Sequence, residues 1–153
     1  KQFIRKENTE QIDEAIIKRE KMVIYILVNY PKESYDAIKN IIMVDDIKSE
    51  RNQKIVAKIY EQYAKNNFND VLNLFEEEDI INYLSGIMAD DFGIADLNKC
   101  IEDLINIYNK EKLINRRNSI LKQLENTNGM ENDEIRKLEK ELNDVIISLA
   151  KSK

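Results

Sequence analysis

IADLNKCIEDLINIYNKEKLINRRNSILKQLENTNGMENDEIRKLEKELNDVIISL, residues Ile94 to Leu149, decides the fold. Its first part sets Ile94, Leu97, Ile101, Leu104 and Tyr108 at three-and-four spacing, one face of a helix that turns about 100° per residue. Beyond Tyr108 the stripe changes phase. Glu111 and Lys112 stand where the next apolar residues would fall, and Leu113, Ile114, Ile120, Leu121 and Leu124 continue on a different side. The spacing therefore predicts one long helix that offers two apolar faces to two neighbours. Asn126-Thr127-Asn128-Gly129 ends it, because Asn and Gly tolerate the backbone of tight turns. A last helix follows, with Ile135, Leu138, Leu142, Val145 and Leu149 in a heptad stripe that Ile146 widens. The upstream face is expected to cap a helical bundle and the downstream face to belong to a projecting hairpin.

Composition points the same way. Three glycines, one proline and 35% charged residues in 153 describe a helix-rich chain, since turn-dense β architectures need more of both turn residues. The net charge of −5 is unevenly spread. Asp45 to Asp103 holds fourteen acidic and six basic side chains, and Leu104 to Lys153 holds eight acidic and ten basic. An acidic middle repels phosphate backbones, so no direct nucleic-acid binding is expected. One cysteine excludes an intrachain disulfide, and the lack of histidine leaves almost nothing for a structural zinc. Cys100, beside Leu97, Ile101 and Leu104, reads as an inert buried thiol. The longest apolar run, Met22 to Val28, is far short of the ~20 residues that span a bilayer. No signal peptide is visible, so a cytoplasmic location without membrane contact is expected. The start at Lys1 rather than Met suggests a piece of a longer protein.

Taken in order, the chain opens on a charged segment, Lys1 to Asn8, from which Phe3 and Ile4 could dock. Thr9 is placed to cap a helix carrying Ile12, Ile16, Val23, Leu27 and Tyr30, with Glu10 and Asp13 favoured by the dipole of its first turns. The β-branched residues Val23, Ile24, Ile26 and Val28 would also suit a strand. One register runs through both halves, however, and an end that is apolar all round implies a central, buried helix. Pro31 stops it. A second helix is expected from Glu33 to Ile42 with Tyr35, Ile38, Ile41 and Ile42 inward, and then a connector pinned by Val44 and Ile47. Ser49 caps a third helix that buries Ile55, Ile59, Tyr60 and Tyr63 and leaves Arg51, Lys54, Lys58 and Lys65 solvated. Short helices follow around Val71, Leu72 and Phe75, and from Asp79 through Ile80, Ile81, Leu84, Ile87 and Met88. Asp90-Asp91-Phe92-Gly93 leads into the long helix, which Asp96 supports near its N-terminus. The predicted fold is all-α. A six-helix bundle over residues 1–112 is joined through the long shared helix to a two-helix hairpin over residues 113–153.

No catalytic constellation is legible. Glu76-Glu77-Glu78-Asp79 is the only metal-like cluster, and consecutive residues at a helix end diverge rather than converge. No Gly-rich phosphate loop is present, and neither His nor a suitable Cys is available to assemble a familiar nucleophile. The seven tyrosines fall mostly on core stripes. Binding is the better-supported chemistry, because a two-helix projection is too small to stand by itself. It needs the bundle, a second copy, or another protein on its open face.

The order of elements resembles the C-terminal helicase-binding domain of bacterial replicative primases of the DnaG type. The resemblance is carried by Glu20-Lys21-Met22, Ile26-Leu27-Val28-Asn29-Tyr30-Pro31, Val44-Asp45-Asp46-Ile47, Arg51-Asn52-Gln53-Lys54-Ile55, Ile59-Tyr60 and Leu113-Ile114-Asn115-Arg116-Arg117. It departs from that pattern where Tyr30 intervenes before Pro31 and where Ile47 replaces an aromatic residue. It implies a bundle and hairpin that dock the primase on the N-terminal region of the hexameric replicative DNA helicase, with the bundle modulating helicase activity. No catalytic residues and no cofactor are expected in this part of such a protein, which should be a monomer in isolation. The proposed contact residues are Lys137, Leu138, Lys140, Glu141, Leu142, Val145, Ile146 and Leu149. Two alternatives stay open. One is the N-terminal domain of the replicative helicase itself, although no Pro-x-Asn-x-Glu-Ala-Glu-like opening precedes the first helix. The other is a helical nucleic-acid-binding regulator using Arg116, Arg117, Lys122, Arg136, Lys137 and Lys140.

Overall fold

A computed structural model describes residues 12–152. The protein is all-α: among these residues six α-helices and two 3₁₀ turns occur, and no strand. The helices are α1 (Glu14–Asn29), α2 (Pro31–Ile38), α3 (Glu50–Ala64), α4 (Glu78–Ala89), α5 (Leu97–Glu125) and α6 (Asn132–Lys151). The chain divides into two compact units, the first ending at Leu104 and the second beginning at Ile105. The stripe shift at Leu113 falls about two helical turns further along α5.

The first unit is organised around α1, which packs against α2, α3 and α4. Val23, Ile24, Ile26 and Leu27 are all fully buried, which explains a run that would read equally well as a strand. Neighbours on several sides of one helix reward apolar residues at nearly every position. Asp13 caps α1, its Oδ1 accepting the Ala15 N–H at 2.9 Å. Thr9, expected in that role, and Phe3 and Ile4, expected to dock, lie outside the described residues.

Pro31 ends α1 and also opens α2 as its first residue, a position where a missing N–H costs nothing. The fully buried Ser34 Oγ lies 2.9 Å from the Ile26 carbonyl and 2.8 Å from that of Tyr30, tying the corner to α1. The second helix begins earlier than expected and stops at Ile38. Ile42 is buried within the turn that follows, its N–H bonded to the Ile38 carbonyl at 2.8 Å.

Tyr35 meets Tyr60 and Tyr63 edge-on, with centroids 5.6 and 5.5 Å apart. The buried Tyr63 hydroxyl donates to the Leu27 carbonyl at 2.6 Å, and burial pushes its phenol up to about 12. Folding thus favours the neutral phenol. That contribution is complete below the ordinary tyrosine value near 10 and is lost as pH rises from there through about 12. A phenolate absorbance titration should show one tyrosine ionising last, and Tyr63→Phe should remove that step. The same substitution should cost about 1 kcal/mol in urea unfolding at neutral pH.

The segment at Val71 differs from expectation. Val71–Leu74 forms a four-residue 3₁₀ turn rather than one of the six helices, so among the described residues five α-helices enter the first unit. Asp70 is left-handed at φ 58° and Phe75 is extended, and a helix cannot propagate through either. Val71 and Phe75 are nevertheless buried, so the apolar pair marks core contact and not periodicity. α4 buries Ile80, Leu84 and Ile87. Beyond it Gly93 takes φ 65°, its N–H bonded to Asp91 Oδ1 at 2.8 Å.

α5 starts at Leu97, one turn after Ile94. Asp96 is its cap, Oδ1 accepting the Lys99 N–H at 3.2 Å, and Ile101 and Leu104 are buried. Cys100 is half-buried, a correction to the fully buried thiol expected from the stripe. Its Sγ lies 3.4 Å from Met22 Sδ. Burial, aided by Asp103, pushes the thiol above its ordinary range.

In the second unit, Tyr108, Ile120 and Val145 are buried. The Met130 N–H bonds to the Thr127 carbonyl at 3.0 Å, with Gly129 at φ 83° supplying the left-handed residue that turn requires. α6 then opens with the Glu134 carboxylate accepting the Glu131 N–H at 3.4 Å.

Candidate partner-docking face

Of the eight residues named as a contact face, four form the inward line of α6. Leu138, Leu142, Val145 and Leu149 follow one another at four, three and four residues, with Val145 buried and the rest half-buried. Lys137 and Lys140 are exposed. Ile146 does not complete the buried line, because it stands 48% exposed, and Ile147 beside it is 45% exposed. Leu121 on α5 is 43% exposed. Glu141 is engaged inside the unit, its two carboxylate oxygens taking Arg116 Nε and, at 2.6 Å, Arg116 Nη2. This two-point hydrogen bond holds the Glu141 carboxyl below its usual range and raises the Arg116 guanidinium further. Both partners are substantially exposed, so the pair fixes register between α5 and α6 more than it adds stability.

The first unit holds a polar cluster of a different kind. Glu20 is fully buried on α1, and its carboxylate accepts the Lys48 N–H at 2.6 Å, the Ser49 N–H at 3.3 Å and the Asn52 side-chain amide at 3.0 Å. The two backbone donors lie just before α3, at its N-cap Ser49 and the residue ahead of it, near the end of the helix where the dipole favours an anion. Asn52 Oδ1 in turn accepts the Tyr83 hydroxyl at 2.7 Å, and the Arg51 guanidinium lies over the Tyr83 ring at 3.7 Å from its centroid. Burial pushes the Tyr83 phenol above its ordinary value. Glu20, Asn52 and Tyr83 are hydrogen-bonded in series, so the chemistry of this cluster is that of a structural lock joining α1, α3 and α4.

Neither protein-family models, nor curated proteins, nor solved structures give a match to this chain.

The residues themselves must therefore bear the functional reading. No group of three or more Asp, Glu or Cys able to hold a metal occurs among the described residues. Glu76, Glu77, Glu78 and Asp79 are exposed, and Lys54 pairs with Glu77, whose carboxyl that hydrogen bond holds low. An open groove of about 760 Å³ beside α1 has Lys18, Lys21, Asp90 and Asp91 among its walls, a mixture that selects no ligand charge. No described helix is long and apolar enough to cross a membrane.

Sequence reasoning missed Glu20, Asn52 and Ile147. A charged residue on the inward side of a buried helix was the available signal for Glu20, because Glu is almost never fully buried unless paired. Ile147 was hidden by its neighbour, since adjacent isoleucines read as one widened stripe.

Proposed function

We propose that the chain is a non-catalytic docking module, similar to the helicase-binding domain of a DnaG-type primase, that acts in the cytoplasm on the N-terminal region of the hexameric replicative helicase. In this reading residues 1–112 serve as a helical bundle that modulates the helicase. Residues 113–153 serve as a two-helix hairpin that anchors to it. The observation that carries the reading is the state of α6, a regular helix that keeps Ile146 and Ile147 in solvent while Val145 is buried. Apolar anchors in the middle of an interface supply most of its affinity, and surrounding charges set register and encounter rate. The order of the sequence motifs supports the choice of partner.

Titration of the full chain into the replicative helicase of the same organism tests this. Saturable binding is expected, and removal of Asn128 to Lys153 should weaken it by at least about a hundredfold, roughly 2.7 kcal/mol. Equal affinity for the shortened chain would defeat the assignment of the anchor to this segment.

A further inference from the structure

The turn that joins α5 to α6 carries a reactive dipeptide. Of the eighteen asparagines in the chain, Asn128 alone is followed by glycine. The Met130 N–H bonds to the Thr127 carbonyl at 3.0 Å, which places Asn128 and Gly129 at the two central positions of a β-turn. Gly129 has φ 83° and Asn128 keeps a negative φ, the signature of type II. Both residues are exposed, and no hydrogen bond to either occurs among the described residues. The peptide plane between them can therefore rotate without giving up a partner. A Cβ built on Gly129 meets nothing within 4 Å, so solvent lies against the backbone there.

We infer that Asn128 is a site of spontaneous covalent modification, in which the Gly129 backbone nitrogen displaces the side-chain amide. Hydroxide removes the Gly129 amide proton, and the nitrogen attacks Asn128 Cγ. The new C–N bond forms, the Cγ–Nδ2 bond breaks, and the amide leaves as ammonia after taking a proton from water. The product is a five-membered cyclic imide. Water then opens it at one of its two carbonyls, giving aspartate in one case and isoaspartate, with the main chain routed through the side chain, in the other. Asparagine and water are thus converted into an acid and ammonia, with no oxidant, metal or enzyme. Glycine favours the closure because no Cβ crowds its nitrogen or restricts its backbone.

The other asparagines lack this combination. Asn126 is followed by β-branched Thr127. After Asn66, the N–H that would attack is held by the Gln62 carbonyl at 3.3 Å. Asn82, Asn106, Asn115 and Asn143 lie within helices, where the following N–H is committed to a carbonyl one turn back. At position 128 either product adds a carboxylate between Glu125 and Glu131. Isoaspartate also inserts a methylene into the backbone between Thr127 and Met130, so their hydrogen bond cannot keep its geometry. The inference is independent of the docking reading and stands or falls without it.

The test incubates the full chain at several pH values from neutral to mildly alkaline and maps its peptides by mass spectrometry, with fragmentation that separates aspartate from isoaspartate. Because glycine's unhindered nitrogen follows an asparagine only once, acid should appear at position 128 at least about tenfold faster than at any other asparagine. Its rate should rise with hydroxide concentration, with isoaspartate present from the start, and Asn128→Gln should remove the signal. Asn126 and Asn132 share the tryptic fragment Gln123 to Arg136 with Asn128 and serve as internal controls. Conversion at position 128 no faster than at Asn126 or Asn132 would overturn the inference. So would aspartate formed without isoaspartate, which marks direct hydrolysis of the side chain. A helical circular dichroism spectrum unchanged at the first time points shows that the folded chain is what reacts.

Discussion

Glu20→Ala is expected to destabilise the protein by about 3 kcal/mol or more. The carboxylate is fully buried and accepts three donors, two of them backbone N–H groups just before α3. Each buried polar group left without a partner costs about 1–3 kcal/mol, and the truncation also leaves a void. Asn52 would lose the contact that orients it, and through Asn52 the Tyr83 hydroxyl would lose its fixed acceptor. Domains of this size are stable by only about 5–15 kcal/mol, so the loss is a large part of the total. Urea unfolding followed by circular dichroism measures it as a lower midpoint at an unchanged slope. Glu20→Gln should recover only part of the loss, because the new amide nitrogen is a donor facing donors. A Glu20→Ala midpoint within experimental error of wild type would show that the cluster is not the lock described above.

Leu27→Ala should cost a comparable amount, about 2–5 kcal/mol, by a different route. Leu27 is fully buried, as are Val23, Ile24 and Ile26 around it on α1. Removing its isobutyl group forfeits the transfer energy of those atoms and leaves a cavity that a close-packed interior refills only partly. Its carbonyl would still receive the Tyr63 hydroxyl, since that bond is made by the backbone. Loss of the side chain alone is therefore measured. Ile147→Ala is the contrast, an aliphatic truncation at a residue 45% exposed, expected to change the midpoint by no more than about 0.5 kcal/mol. Equal midpoints for the Leu27 and Ile147 variants would contradict the burial pattern on which the fold rests.

Helical class and the central place of α1 were legible in the sequence because both depend on periodicity. Val23 through Leu27 could be read as buried from one register running through two halves of a helix. Boundaries were less legible. Asp13 caps the helix that opens at Glu14, and Pro31 begins a helix as well as ending one. Both choices turn on local hydrogen bonds that several residues could have made. Val71 and Phe75 have helix-compatible spacing, yet the left-handed Asp70 confines the segment to a 3₁₀ turn. On the candidate face, Val145 could be assigned inward from its heptad position. Ile146 and Ile147 could not be apportioned between seam and solvent, because a stripe three residues wide has no edge in sequence. Glu20 was legible only as a charge on an apolar stripe, because its donors lie 28 to 32 positions away.

The sulfur contact between α1 and α5 gives the first unit a built-in reporter. Cys100 is the single thiol of the chain, and its Sγ rests against Met22 Sδ. A maleimide or disulfide reagent can therefore react at one place only, and a thiol held above its ordinary pKa offers little thiolate to react with at neutral pH. The labelling rate at this half-buried thiol is therefore set by its small thiolate fraction and by access past Met22, and a change in rate reports a change at this one contact.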